Sequence, residues 1–132
     1  FETNFFLYSL AEDRDFSYRC SKHGKLLMNP DAEMIHKVVN ISRLPSEKKT
    51  RMTYVHQMYL IAKNFGWSFK TSSAYWWNVF GRLLFKLIPA LTFKRDKWDD
   101  FKNNWVSFVY VLKNKRKIIK KDIRDFNDWL HR

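Results

Sequence analysis

Residues 11–19 have the sequence AEDRDFSYR, and they open the stretch that decides which fold the sequence predicts. The acids Glu12 and Asp13 stand at the start of an amphipathic segment, and His36 follows Asp13 by 23 positions. Acidic side chains are favoured in the first turn of a helix, where the backbone N–H groups have no partner within the helix. We therefore predict a helix that begins near Glu12.

The residues that follow this helix predict two short strands. Gly24 comes directly after a cationic turn and is expected to stop the helix. Residues 25–28 then favour a strand, residues 29–32 (NPDA) a turn, and residues 33–39 a second strand or an extended segment. This front part of the chain is α+β on that pattern.

The acidic pair has the chemistry of a general base. A carboxylate at a helix N-terminus is stabilised in its charged form by free N–H groups and by the helix dipole. Such a group is suited to accepting a proton from a hydroxyl. Acids in a first turn also cap many helices that have no catalytic role, and this alternative stays open. A lone histidine such as His36 is likewise more often a structural group than a metal ligand.

The first 37 residues resemble the C-terminal, acceptor-side half of family 2 glycosyltransferases, which have the GT-A fold. Members carry a segment similar to F-x-E-x-F-F-x-Y followed by E-D-x-D-F-S-Y-R, then a short helix ending in Gly, then N-P-x-A and a later His. The matching residues here are Phe1, Asn4-Phe5-Phe6, Tyr8, Glu12-Asp13, Asp15-Phe16-Ser17-Tyr18-Arg19, Gly24, Asn29-Pro30, Ala32 and His36-Lys37. The match is close over residues 1–37, looser over 50–64 and only compositional beyond.

The resemblance implies an inverting, metal-dependent glycosyltransferase of cell-surface polysaccharide synthesis. Such an enzyme moves a sugar from a nucleotide-sugar donor to a hydroxyl of a glycan or lipid-linked acceptor. It implies that Asp13 is the general base and that Glu12 orients the acceptor or supports that base. It also implies that His36 completes the coordination of Mg²⁺ or Mn²⁺, which is held mainly by an Asp-x-Asp motif elsewhere. Arg19 is expected to brace the acidic cluster by an ion pair, or else to lie on a solvated helix face.

The donor-binding half that the family places before this region is missing from the sequence. The chain has only three glycines, so it contains no glycine-rich loop that cradles phosphates. We expect a cropped piece of an enzyme that is inactive alone, with residues 1–40 from the catalytic domain and residues 41–132 as a helical extension. Its single cysteine excludes an internal disulfide and a zinc site built on paired cysteines.

The charge of the chain is distributed unevenly along its length. Residues 1–36 carry four Lys/Arg against six Asp/Glu, a net of −2, although the whole chain has a net charge of +12. Residues 37–132 carry 21 basic against seven acidic side chains, a net of +14. This basic, aromatic-rich C-terminal part of the chain is suited to binding a polyanionic surface, either a nucleic acid or anionic lipid headgroups.

Apolar residues recur at helical spacing in four stretches of this C-terminal part, 50–64, 73–87, 98–113 and 119–130. Residues 74–93 have the length of a membrane span, but Arg82 and Lys86 near the middle would be costly at bilayer depth. We predict a helix that lies in the membrane interface, with these two cations reaching for phosphates. Its apolar side is expected to comprise Trp76, Trp77, Phe80, Leu84 and Leu87.

The cations of residues 113–121 are expected to attach the protein to the cytoplasmic face of the cell membrane. The anionic surface would attract Lys113, Arg116, Lys117 and Lys120. A solvated helix face is the alternative interpretation. The rival function is a non-catalytic, basic nucleic-acid-binding module. We expect no nucleic acid as a partner, because the nearby aromatic residues fall on apolar helical stripes and not among the cations.

Overall fold

The protein is a small helical domain in the parts of the chain that the structure describes. The computed structural model describes residues 12–35, 44–92 and 94–131, apart from the side chains of Asn127 and His131. These residues form five helices: α1 (Glu12–Ser21), α2 (Ser46–Phe65), α3 (Phe69–Ala90), α4 (Arg95–Ile119) and α5 (Arg124–His131).

The predicted α+β architecture, a C-terminal part of a GT-A-type domain with short strands, is wrong. No strand occurs within residues 12–35, 44–92 and 94–131. Residues 25–28 form no regular element, and the side chains of Leu27 and Met28 are 90% and 92% exposed. An extended segment becomes a strand only when its N–H and C=O groups pair with a neighbour, and the described residues provide none. Residues 36–39 of the second predicted strand lie outside the described residues.

The predicted helices are present, but the residues at which some of them begin or end differ from the prediction. The helix beginning near Glu12 is confirmed, but it ends at Ser21 and not at Gly24. The helix of the apolar stretch 50–64 starts earlier than that spacing indicates, since α2 begins at Ser46, directly after Pro45. α3 begins at a capping box, in which Ser68 and Thr71 each accept a hydrogen bond from the other's backbone N–H. Such a box satisfies two otherwise free N–H groups and fixes where a helix begins.

The core lies where α4 packs against both α2 and α3. A buried polar network joins these three helices at its centre. Tyr54 donates its hydroxyl to Asn104 Oδ1 at 3.1 Å, and Tyr75 donates its hydroxyl to the Tyr54 carbonyl at 3.0 Å. Hydrogen bonds of this kind fix the register of the helices because a buried polar group left unpaired is costly. The apolar core around them includes Met52, Val55, Met58, Tyr59, Val79, Leu83, Val111 and Ile118.

α5 closes the open end of the core through a tight turn after α4. Ile123, Phe126 and Leu130 are buried against the core formed by α2 and α4. Lys121 adopts a positive φ of 67° in the turn, while the Asp122 N–H donates to the Lys117 carbonyl at 3.0 Å. This is the left-handed helix end that glycine usually occupies.

Candidate functional site

α1 is attached to the C-terminal end of α2 through one buried carboxylate. Asp15 is 3% exposed, and its two oxygens accept hydrogen bonds from Lys63 Nζ at 3.0 Å and Asn64 Nδ2 at 2.9 Å. Tyr18 adds a hydrogen bond from its hydroxyl to the Asn64 carbonyl at 2.8 Å. Its ring packs on Phe65 with the centroids 4.5 Å apart. These contacts fix the orientation of α1 on the helical core.

The environment of Asp15 favours its charged form. Burial by itself raises the pKa of this carboxyl. The hydrogen bonds from Asn64 and Lys63 and the charges of Lys63 and Arg19 lower the pKa by a larger amount. The net result is a pKa below the ordinary value, so the side chain is an ionised structural group at neutral pH. Asp15 is therefore an anchor for α1 and is not available for chemistry.

The candidate base and its neighbour lie on the exposed side of the same turn. Glu12 and Asp13 are both exposed, and within the described residues no ion pair involves either of them. Asp13 Oδ1 accepts a hydrogen bond from the Arg14 backbone N–H at 2.9 Å, which is the contact that the capping interpretation expects. The other carboxylate oxygen of Asp13 remains available to a ligand. The three acids of α1 thus divide into one structural and two accessible carboxylates.

Asp13 lines a cleft of about 800 Å³ between α1, α2 and α3. The cleft walls combine the carboxylates of Asp13 and Asp15, the guanidiniums of Arg14 and Arg82, amides, an imidazole and a hydroxyl with apolar side chains. A surface of this kind can exchange many hydrogen bonds with a polyhydroxyl ligand while one carboxylate takes a proton. The polar residues opposite Asp13 include Thr53, His56, Gln57, Asn64, Asn78 and Arg82.

Arg19 lies beside the buried acid and not beside the exposed pair. Its Nε atom is 3.2 Å from Asp15 Oδ2, while its side chain remains 46% exposed. The ion pair that the sequence suggested is therefore directed at the anchor of α1. Its effect on Glu12 and Asp13 is indirect, through the orientation of the helix that carries them.

The described residues do not form a metal site by themselves. They contain no group of three or more His, Cys, Asp or Glu side chains arranged to hold an ion. His36, the predicted ligand, lies outside the described residues. Glu12 and Asp13 are the accessible oxygen donors of α1, and Asp15 is already occupied by its lysine and amide partners.

A large apolar surface covers the outer sides of α3 and α4. The α3 residues Trp77 (83% exposed), Leu84 and Ile88 fall on one helical side, opposite the buried Val79 and Leu83. Further exposed residues on this side are Phe80, Phe85 and Leu91. Among the predicted interface residues, Trp76 and Leu87 are partly buried. No helix within the described residues is long and apolar enough to cross a membrane.

An aromatic ladder continues this apolar surface from α3 onto α4. Phe80 contacts Phe108 with the ring centroids 5.9 Å apart, and Phe108 contacts Trp105 at 5.4 Å. Phe101 and Trp98 extend the series towards the N-terminus of α4. The exposed faces of the two helices are therefore one continuous surface.

The cations expected at a membrane surface lie near the C-terminal end of α4. Lys113, Arg116 and Lys120 are exposed, and the first two share a helical side with Trp105 and Leu112. Lys117 differs, because its ammonium group is paired with Asp125 of α5. The hydrogen bond and charge of Asp125 raise the pKa of Lys117, so it stays fully charged within this pair.

Arg82 and Lys86 do not reach outward as the sequence suggested. Both lie on the inner side of α3, away from Trp77 and Leu84. Lys86 Nζ contacts Asp100 Oδ2 of α4 at 2.7 Å, and the Arg82 guanidinium lies over the Tyr54 ring at 5.4 Å. Apolar and charge spacing along the chain does not indicate this pairing, since Asp100 belongs to another helix. Only the spacing of Asp15 and Arg19, four positions apart on α1, could have indicated the anchor.

No known protein family, curated protein or solved structure matches this chain.

Proposed function

We propose that this chain is the acceptor-side portion of an inverting, metal-dependent glycosyltransferase of family 2. It would transfer a sugar from a nucleotide-sugar donor to a hydroxyl of a glycan or lipid-linked acceptor in cell-surface polysaccharide synthesis. The proposal concerns the full-length protein, in which the donor is held mainly by residues outside this chain. It begins from the resemblance of residues 1–37 to that family.

The main support for the proposal is that the acids of α1 have different roles, one structural and two accessible. Asp15 anchors the helix through Lys63 and Asn64, so Glu12 and Asp13 are held at a fixed position without being used in the packing. Asp13 lines a cleft of about 800 Å³. An anchored, accessible carboxylate facing a polar cleft is what a general base requires.

In this proposal Asp13 takes the proton of the acceptor hydroxyl as its oxygen attacks the anomeric carbon of the donor sugar. The new glycosidic bond forms while the bond to the nucleoside diphosphate breaks on the opposite face, so the configuration inverts. Glu12 orients the acceptor beside the base. The cleft amides of Gln57, Asn64 and Asn78 supply donors and acceptors for the remaining sugar hydroxyls.

The divalent metal that the resemblance implies would neutralise the charge of the departing diphosphate. Mg²⁺ or Mn²⁺ would be held mainly by carboxylates outside this chain, with His36 as the ligand that this chain contributes.

The experiment is the Asp13→Asn substitution in the full-length enzyme, assayed for sugar transfer and for donor binding. Asparagine keeps the size of the side chain but cannot accept the proton. We expect transfer to fall by about 10²–10⁴-fold with donor affinity unchanged. Glu12→Gln is the matched control and should lower transfer less, since Glu12 does not take the proton. Transfer by the Asp13→Asn enzyme at the wild-type rate would contradict the proposal.

We also propose that the apolar surface of α3 and α4 attaches the protein to the cytoplasmic, anionic face of the cell membrane. The specific support is the continuous side formed by Trp77, Leu84 and Trp105, together with the exposed cations Lys113 and Arg116 next to it. Aromatic and aliphatic side chains insert at the boundary of the acyl chains, while cations beside them meet lipid phosphates. An exposed apolar patch of this extent marks an interaction surface.

The test is sedimentation with vesicles containing phosphatidylserine, compared between Leu84→Glu and Leu27→Glu. Both leucines are exposed, but only Leu84 belongs to the α3 surface. We expect Leu84→Glu to weaken vesicle binding by at least about tenfold, because apolar burial is lost and a repelled charge is added. Leu27→Glu should bind as the wild type does. Equal binding by both variants, or tight single-stranded nucleic-acid binding with a steep salt dependence and none to vesicles, would contradict this attachment.

A further inference from the structure

Arg82 is a positioned guanidinium without a carboxylate partner among the described residues. It stacks over the ring of the buried Tyr54, with Cζ 5.4 Å from the centroid, and Arg82 Nη2 lies 3.4 Å from Asn78 Oδ1. Burial raises the pKa of Tyr54 to about 12, so the ring beneath Arg82 is a neutral phenol that does not compensate the positive charge. Tyr54 is itself fixed by its hydrogen bond to Asn104.

Arg82 also stands between two concave surfaces. On one side it lines the cleft that contains Asp13, together with Thr53. On the other side the same two residues line a groove of about 380 Å³ between α2, α3 and α4. Lys49 and Lys86 lie in this groove, and Asp100 is its one carboxylate among the described residues. Because Asp100 is paired with Lys86, the charges of Lys49 and Arg82 remain uncompensated there.

We propose that Arg82 and Lys49 bind a phosphate group, and that this group belongs to the acceptor whose hydroxyl Asp13 activates. The assignment to the acceptor rests on the proposed function, whereas the phosphate binding itself does not. A guanidinium presents several N–H donors in a fixed fork that matches the oxygens of a phosphate, and a nearby ammonium adds a second charge. The Ser46 hydroxyl at the groove provides a further donor, whereas the hydroxyls of Thr50 and Thr53 already donate to the Ser46 and Lys49 carbonyls.

The geometry favours a phosphorylated ligand over a neutral sugar chain. A neutral glycan would gain little from two cations, while a doubly charged phosphate or a diphosphate would gain from both. Since Thr53 and Arg82 line both the groove and the cleft, a phosphate bound by Arg82 lies next to the cleft that Asp13 lines. A lipid-linked acceptor carries such a group between its lipid and its first sugar. A free soluble phosphate ester carries the same group, so the experiment must separate the two sources.

The experiment measures binding of inorganic pyrophosphate to the full-length protein by titration calorimetry. We expect Arg82→Gln to weaken binding by at least about tenfold, because a charge-assisted fork is lost. Lys49→Gln should weaken it by a smaller factor and, being at an exposed position, should leave folding intact. Lys70→Gln is the matched control, since it removes an exposed cation outside the groove and should leave the affinity unchanged. Equal weakening by all three variants would mean nonspecific attraction and would overturn the proposal.

Two further measurements, pyrophosphate binding by the Asp13→Asn protein and competition by other phosphate compounds, test the phosphate site independently of the proposed function and distinguish the two ligand sources. The Asp13→Asn protein should bind pyrophosphate as the wild type does. If it also transfers sugar normally, the base assignment fails while the phosphate site stands. If pyrophosphate binding is the same in Arg82→Gln and wild type, the phosphate site fails alone. A short-chain isoprenyl diphosphate should compete with pyrophosphate more strongly than a soluble sugar phosphate does, and the reverse order would overturn the assignment to a lipid-linked acceptor.

Discussion

The single carboxylate of Asp15 determines how α1 packs against α2. It lies two positions after Asp13 in the sequence, yet the two side chains face opposite environments. The helical period turns Asp15 towards α2, where Lys63 and Asn64 satisfy both of its oxygens. The sequence pattern indicates the acidic cluster but does not separate its members, because the partners of Asp15 are 48 and 49 positions away.

The Asp15→Asn substitution should destabilise the protein by roughly 2 kcal/mol at pH 7, since a buried, charge-assisted pair is broken. The folded-state pKa of Asp15 is lowered, so its contribution to stability is present above the unfolded-state pKa of about 3.9. That contribution is lost as the pH falls through the lower folded-state pKa. Urea unfolding at a series of pH values should therefore show the difference between variant and wild type shrinking below about pH 4.

The matched control for this series is Asp31→Asn, because Asp31 is an exposed acid whose side chain forms no ion pair within the described residues. It should change the free energy of unfolding by less than about 0.5 kcal/mol. A difference between Asp15→Asn and wild type that stays constant from neutral to acid pH would contradict the role of Asp15 as a charged anchor.

Two positive-φ residues determine how α2 and α4 end. Gly66 follows α2 with a φ of 72°, and Lys121 follows α4 with a φ of 67°. A side chain in this conformation costs about 1 kcal/mol, and a Cβ added at Gly66 would contact nothing within 4 Å. The effect of a substitution at either position is therefore a backbone effect.

We expect Gly66→Ala to destabilise the protein by about 1 kcal/mol and Lys121→Gly to stabilise it by about 0.5 kcal/mol. Thermal unfolding of both variants checks that the first substitution lowers the stability and that the second raises it. Gly81→Ala is the control in a helix interior, where alanine is the better helix former and the added Cβ again contacts nothing within 4 Å. It should be neutral or slightly stabilising. A stabilising Gly66→Ala would contradict the positive-φ end of α2, where Gly66 has a ψ of 162° in a region found essentially only for glycine.

The helices were largely predictable from apolar spacing, and the strands were not. Positions such as Met52, Val55 and Tyr59 recur at the period of a helix and are buried as that period requires. Residues 25–28 have a short apolar run that is equally compatible with an exposed loop. A strand depends on a distant partner, and apolar spacing alone contains no information about that partner.

The whole molecule separates a polar cleft from an apolar outer surface by means of one helix. α3 presents Arg82 and Asn78 to the cleft and Trp77 and Leu84 to the outside. The sequence predicted this helix as amphipathic and predicted an interfacial role for its apolar side. It did not predict that the cations would face inward, because this depends on α4 packing beside α3 and supplying Asp100.

This arrangement connects the two proposals. A protein that lies on a membrane through α3 and α4 holds its polar cleft on the opposite side of the same helix. A lipid-linked acceptor in that membrane would approach the cleft with its phosphate near Arg82 and its sugar near Asp13. The two functions can then be tested by separate substitutions, since Leu84 and Asp13 share no contact surface.

The most direct test of the assignment of Asp13 compares Asp13→Asn with Asp15→Asn in the full-length enzyme, measuring transfer rate and thermal unfolding on the same preparations. Asp13→Asn should unfold at the wild-type temperature and transfer about 10²–10⁴-fold more slowly. Asp15→Asn should unfold at a lower temperature, and its transfer per folded molecule should fall less than that of Asp13→Asn, because it weakens the anchor of α1 but leaves the base in place. Wild-type transfer by a folded Asp13→Asn enzyme would contradict the assignment of Asp13 as the base.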